Sequence, residues 1–365
     1  MVLTFGTLCA AWDIVDIGEH TLKFFKKIAK VAYVLMLLLS VAIVVVTVQT
    51  VEIDASLNVV SLEKSGTELK GSQLITFCLS LAAAFVAAVQ AFYNPVRRWQ
   101  QVRDATANME SAIWQFRCRA GVYAQGSEGP AASTQALSAA VRRCREAIMV
   151  SADVQETSFH AFYPLHIYRH GQRPRGGTKV YPSPTPDTTE DCFDPESPEV
   201  QEKESFDNNY APTKPEDYIR LRILKMLRFY RTRLPNYAHQ RDFCQWVIMV
   251  GTVAGALIAF LGFAPQVAIV TSVTTSVAAW LEFHSTAQKV SRYNGIIVSL
   301  SNILLWWDSM GDVDKASPIN IDLLVQMGEA TLNAERGAWL SAGASKEDQE
   351  KDKKGKDEDE DETRK

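Results

Sequence analysis

The chain has 365 residues, of which 47% are hydrophobic and 22% charged, and its formal net charge is −4. Those averages match an ordinary soluble protein and by themselves exclude no class. The mean conceals a segregation of apolar and charged residues into blocks, and a bilayer responds to blocks rather than to mean hydropathy.

Residues 1–30 carry Lys23, Lys26, Lys27 and Lys30 ahead of the first apolar block and read as an N-terminal segment on the cytoplasmic side. Val31 to Val48 (VAYVLMLLLSVAIVVVTV) is uncharged, and crossing about 30 Å of hydrocarbon takes roughly 20 helical residues. It is expected to be an uncleaved spanning anchor, because Asp13, Asp16 and Glu19 in the preceding segment do not suit a signal peptide. The connection from Thr50 to Gln73 holds Glu52, Asp54, Glu63 and Glu68 against Lys64 and Lys70. Leu74 to Tyr93 forms a second span, closed by Asn94-Pro95 and followed by Arg97, Arg98 and Arg103. The bases flanking the spans place both termini and the central segment in the cytoplasm.

Beyond the second span, Trp99, Val102, Thr106, Met109, Ile113 and Phe116 recur at alternating spacings of 3 and 4, a heptad seam. Such a seam packs against a neighbouring helix of the same chain, or drives self-association, or does both. Gly171 to Pro215 is rich in proline, serine, threonine and acids and reads as a disordered linker. Arg220 to Arg241 carries seven Lys or Arg ahead of a third span, Phe243 to Phe263. Lipid headgroups at that boundary account for the bases more economically than nucleic acid does.

A turn over Gly262 to Gln266 leads to a fourth span, Val267 to Phe283. Gly251 and Gly255 form a GxxxG step for close helix packing. Thr271, Ser272, Thr274, Thr275 and Ser276 are hydroxyls that line a water-filled path or bond back to their own helix. After this span Val290, Tyr293, Ile297, Leu300, Leu304 and Trp307 repeat the seam, each 191 residues beyond its counterpart, as in 290 − 99 and 307 − 116. The chain therefore duplicates one unit, a hairpin of spans followed by a heptad helix, in an all-α membrane fold. The units are placed at 31–170 and 216–341. Within the second, Pro318 to Leu340 reads as an amphipathic helix with Leu323, Leu324, Met327, Leu332 and Trp339 apolar and Glu329 and Glu335 polar. Residues 342–365 are a charged tail.

Tests for chemistry find little. In GQRPRGGTK, Gly171 to Lys179, the lysine does not follow the last glycine directly as a phosphate loop requires. His166 and His170 lack an HExxH context and read as surface histidines. The six cysteines, Cys9, Cys78, Cys118, Cys144, Cys192 and Cys244, read as free thiols. No cofactor motif, metal set or nucleophile motif emerges, and the expectation is a protein without catalytic activity.

The second unit resembles the SLATT superfamily, two-span effector domains associated with SMODS nucleotidyltransferases and SLOG nucleotide-sensing domains. The resemblance rests on FYRTRLPNYAHQRD (Phe229 to Asp242), WLEFHSTAQKVSRYN (Trp280 to Asn294), LLWWDSM (Leu304 to Met310) and LVQMGEATLNAERGAW (Leu324 to Trp339). The first unit resembles it more loosely, through NPVRRWQQVRDATANMESAIWQFRCRAG (Asn94 to Gly121). It implies a membrane effector or pore that assembles as a homo-oligomer in the lipid bilayer. The chain has no sensor of its own, so a SLOG-type nucleotide-sensing partner would act in trans. The alternative is a non-conducting scaffold that recruits cytoplasmic partners.

Overall fold

A computed structural model of the chain describes residues 2–49, 71–124, 129–152, 163, 167–168, 170, 207 and 209–334. The acidic connection between the first two spans, the linker up to residue 206, His166, Cys192, Trp339 and the charged tail lie outside them. All regular structure among the described residues is helical.

The longest helix, α1 (Val2–Val48), runs without a break through both the predicted N-terminal segment and the first span. Residues 1–30 are thus not a separate lead-in. Leu8, Ala11, Trp12 and Val15 recur at i, i+3, i+4 and i+7 and are at most 4% exposed, which makes this half of α1 a core helix. Then come α2 (Gly71–Tyr93), α3 (Pro95–Cys118) and α4 (Gly129–Ala152). The second unit opens on a helical turn, Pro215–Tyr218, and a π turn, Ile219–Ile223, before α5 (Leu224–Phe260), α6 (Ala264–His284) and α7 (Thr286–Asp308). A short turn, Asp312–Lys315, leads to a last helix, α8, over residues 318–334.

Helices α1 to α4 and α5 to α8 follow the same plan. The first of each four leaves a polar bundle and enters the membrane without interruption, the second returns, and the other two belong to the bundle. Asn94, between α2 and α3, has φ 39°, and Ser285, between α6 and α7, has φ 47°, both left-handed. They are 285 − 94 = 191 residues apart, the offset that relates the two seams. A single left-handed residue re-aims the chain where the span ends, and Pro95 starts α3 where a missing N–H loses no bond.

The turn joining α5 to α6 is tighter than expected. It consists of Leu261, Gly262 and Phe263, because Pro265 sits in the first turn of α6. Gly262 takes φ +86° there, a conformation that strains any side chain.

Among the described residues four helices are long and apolar enough to cross a membrane. Their apolar side chains face outward: Leu38 is 63% exposed, Phe85 69% and Phe260 88%. So much contiguous apolar surface requires lipid or another membrane helix against it. Side by side the spans run α2, α1, α6, α5, with α1 and α6 in contact across the two units. The Tyr33 hydroxyl donates to the Ala279 carbonyl at 2.9 Å, and its ring stacks on Phe283 with centroids 3.9 Å apart. Within the second hairpin, a Cβ added at Gly251 would lie 2.2 Å from Thr274 Cγ2, and one at Gly255 would lie 3.8 Å from Val270 Cγ1. The GxxxG step is where α5 meets α6.

The polar bundle has two cores. Leu8, Trp12 and Val15 of α1 pack with Val102, Met109 and Ile113 of α3 and Leu137 and Ile148 of α4. Tyr218, Ile223, Leu227 and Tyr230 pack with Tyr293, Leu300 and Trp307 of α7 and Leu324 and Leu332 of α8. Helix α3 serves both, because Trp114 and Cys118 on another of its faces complete the second core.

Consequently the heptad positions are internal. Val102, Met109, Ile113 and Leu300 are 0% exposed, Tyr293 is 6% and Trp307 4%, while Phe116, Ile297 and Leu304 pack at the margins of the cores. Trp99 is half-buried under the Arg103 guanidinium. Each stripe thus packs largely within its own chain, the first of the two roles its spacing allows. Leu323, expected on the apolar face of the last helix, is 43% exposed, whereas Glu329 is fully buried.

Residues 207 and 209–215, within the stretch ascribed to the linker, are pinned to the bundle. Arg117 holds the Asp207 carboxylate through Nη1 at 2.9 Å and Nη2 at 2.5 Å, and its Nε donates to the Ala211 carbonyl at 3.0 Å. Trp12 Nε1 donates to the Asn209 carbonyl at 3.0 Å, and the Thr213 N–H to that of Arg117 at 2.9 Å.

Overpacking a close helix contact costs about 1–3 kcal/mol. Gly251→Leu should therefore lower the melting temperature in detergent by several degrees. Gly295→Ala, at a helical position with open space around it, should leave it equal or slightly higher.

Candidate functional site

Two places have the chemistry to do work: the hydroxyl-bearing face of α6 and the polar groups that join the units. On α6, Thr271 and Thr275 are exposed, four residues apart on one face, while Ser272, Thr274 and Ser276 are half-buried. Thr271 Oγ1 donates to the Val267 and Ala268 carbonyls at 3.0 and 3.1 Å, and Thr274 Oγ1 to the Thr271 carbonyl at 2.9 Å. The methyl of Thr274 fills the notch at Gly251. The five hydroxyls thus divide: Thr274 is a packing residue, and Thr271 and Thr275 face outward.

The second place was not recognised from sequence. Arg222, on the π turn, is 3% exposed and donates from Nε to Glu329 Oε1 at 3.0 Å and from Nη2 to Oε2 at 3.2 Å. Its Nη1 donates to Glu110 Oε1 on α3. The Tyr218 hydroxyl donates to Glu329 Oε1 at 3.2 Å, and the Trp114 ring lies 5.9 Å from the guanidinium. Burial opposes the charge on Arg222, but Glu110 and Glu329 outweigh it and raise its pKa, which keeps the guanidinium charged. Burial first, then Glu329, holds the Tyr218 hydroxyl well above its ordinary value, so it remains a donor.

This arrangement ties the first unit to the second with a fixed, directional contact. The π turn aims Arg222 inward, where the seven Lys or Arg spread over Arg220 to Arg241 suggested a role at the lipid headgroups. Two more bonds bridge the units beside it: the Gly121 N–H to Asp322 Oδ1 at 2.5 Å and Asn333 Nδ2 to Ser111 Oγ at 3.2 Å. A spacing signal did exist, since Tyr218, Leu221 and Arg222 share a helical face, but periodicity cannot assign a buried arginine a partner 107 residues away.

A third polar cluster closes the base of the linker. His170 Nδ1 lies 2.6 Å from Asp16 Oδ1, and its backbone N–H donates to Asp16 Oδ2 at 2.9 Å. Its ring stacks on Trp12 with centroids 4.6 Å apart, and the Tyr210 hydroxyl donates to its carbonyl. So His170 is half-buried rather than free on the surface; it clasps the start of the linker against α1, next to the point where Asn209 anchors its end. Burial works against the imidazolium, yet the hydrogen bond and charge of Asp16, aided by Glu19 and Glu110, carry its pKa above the ordinary value. Burial and then Asp16 carry Asp13 up to about 6.

Five cysteines fall within the described residues, all free thiols. Burial pushes Cys118 up to about 12 and Cys144 up to about 11, so neither is a thiolate at neutral pH. Among the described residues no three His, Cys, Asp or Glu side chains converge as a metal-binding group.

Both clusters generate tests. Removing one partner of a buried ion pair costs about 3–5 kcal/mol, so Glu329→Ala should sharply lower the melting temperature, whereas Asp217→Ala, which breaks an exposed pair with Arg220, should change it little. The raised His170 pKa contributes stability that is complete below about 6.5 and is lost as pH rises through the higher folded value. Asp13 acts in the same direction at lower pH. The melting temperature should fall between pH 6 and 8.5, and His170→Gln should flatten that slope.

Residues 218–339 match the family model "SMODS and SLOG-associating 2TM effector domain 1", and residues 19–130 match "Protein of unknown function (DUF4231)". No curated protein and no solved structure matches the chain. The first match starts at Tyr218 and takes in the π turn, both spans, α7 and α8; the second starts within the buried half of α1 and ends in α4. The first match spans the second structural unit and the other covers the middle of the first, so the protein is a membrane protein carrying a SLATT-type two-span effector domain over residues 218–339.

Proposed function

We propose that the chain is the protomer of an oligomeric membrane effector that opens a conduit, with the exposed hydroxyl face of α6 on its wall. The observation that carries this reading is the position of Thr271 and Thr275, outward-facing on a span whose other hydroxyls are half-buried. The four spans lie side by side in a row, so in this reading the conduit is built from several copies. Their contact would be made by the exposed apolar span faces, since the heptad stripes are occupied. In the same reading both termini and the bundle face the cytoplasm, where a separate nucleotide-sensing partner delivers the signal and no catalysis is involved.

The alternative is a non-conducting membrane scaffold. It is favoured by the Thr271 and Thr274 hydroxyls, which already bond to their own helix and need no water. Ion flux across bilayers reconstituted with the purified protein separates the two. A conduit gives flux that requires oligomer formation, and Thr271→Val with Thr275→Val should reduce it several-fold with no change in melting temperature. Stable oligomers that never conduct, with or without candidate nucleotides and partner, would leave the scaffold; unchanged conductance in the double variant would remove α6 from the wall.

A further inference from the structure

At the junction of the two units, just outside the spans, cations from three helices converge. Lys26 and Lys30 come from α1 and Arg103 from α3; Lys289 and Arg292 come from α7, with His284 at the end of α6 beside them. The Lys289 ammonium lies 5.5 Å from the centre of the Tyr237 ring, and the Arg103 guanidinium 5.5 Å from that of Trp99. Arg292 is half-buried, with Nε and Nη2 fully covered. Glu282 lies at the same level, near Tyr33, set against five lysines and arginines.

Position along the helices gives the level in the membrane. Tyr33, Trp280 and Phe283 stack into an aromatic layer, of the kind that sits at the hydrocarbon boundary. At a rise of about 1.5 Å per residue, Lys30 and Lys26 lie about 4.5 and 10 Å from Tyr33 along α1. Lys289 and Arg292 lie in the first two turns of α7, which begins three residues past Phe283. That depth, outside a hydrocarbon core of about 30 Å and within a bilayer of about 40–45 Å, is the layer of the lipid phosphates.

The repulsion within the cluster is felt: burial, and then Lys26, Arg103 and Arg292, push the Lys289 ammonium down to about 8. Cations held together by packing are stabilised when an anion enters among them. Basic pockets between membrane helices take up anionic headgroups in this way.

We propose that this junction binds the phosphate of an anionic lipid headgroup, through Lys26, Lys30 and Arg103 of the first unit and Lys289 and Arg292 of the second. The bound lipid bridges the units at the membrane surface, much as Arg222 bridges them in the bundle. The site does not depend on whether the protein conducts.

The test uses the full chain in a zwitterionic detergent, with melting temperature read against added dioctanoyl phosphatidylglycerol, dioctanoyl phosphatidylcholine or inorganic phosphate. Phosphatidylglycerol is expected to stabilise the wild type in a saturable, salt-sensitive manner, and the other two are not. Lys289→Gln with Arg292→Gln should weaken that response roughly thirtyfold, while the melting temperature without lipid stays level or rises as repulsion is relieved. If that pair of substitutions prevents folding, Lys26→Gln on the exposed edge should weaken the response about fivefold. Equal stabilisation by phosphatidylcholine, or a variant response equal to the wild type, would overturn the proposal. Stabilisation by inorganic phosphate alone would assign the site to a free anion and overturn the lipid.

Discussion

Hydrocarbon offers a backbone N–H or C=O no partner, so a chain that crosses it must satisfy every such group within the crossing segment. Here this constraint fixes more than the spans. Because α1 and α5 are each continuous from the polar bundle into the membrane, the axis of a span is also the axis of a bundle helix. Packing in water and packing in lipid are then one mechanical problem. The breaks fall where helix bonding can be interrupted safely, at Asn94 and Ser285, on the watery side of the second span of each unit. Duplication preserved that position to the residue.

The two units are held together by different forces at different depths. In the membrane, where apolar contact with lipid competes on equal terms with apolar contact between helices, α1 and α6 meet through aromatic stacking and the hydrogen bond from Tyr33. In the bundle, Arg222 is held by Glu329 of its own unit and reaches across to Glu110, with Tyr218 and Trp114 around it. A buried ion pair adds little net stability over an apolar replacement, but it tolerates little misalignment. Its value to the fold lies in setting one relative placement of the units.

Patterning in the sequence was reliable where it depended on a bulk property and unreliable where it depended on a partner. The four spans, the close approach at Gly251 and the duplication at an offset of 191 residues followed from block hydropathy, residue size and spacing. The heptad stripes were correctly placed on helices, yet what covers them was undetermined, since a stripe records that something packs there and not what. Val102 and Met109 turned out to face α1 and α4, and Leu300 and Trp307 to lie in a core with α5 and α8. The role of α1 was missed because the charges of the first thirty residues drew attention to orientation, although Leu8, Ala11, Trp12 and Val15 already marked a helical face.

By itself the sequence determined that this is an all-helical membrane protein built from two similar units, because hydrophobic length and periodicity are properties of the chain alone. Tertiary structure decided which charges are buried and which side chains meet. Arg222, Glu329, Asp16 and His170 look like surface residues in one dimension, and their partners lie 107 and 154 residues away. Desolvation and electrostatics depend on distance in space, and no local pattern encodes it. The same holds for the cations at the membrane surface: read along the chain they orient the spans, and brought together by the fold they become a site.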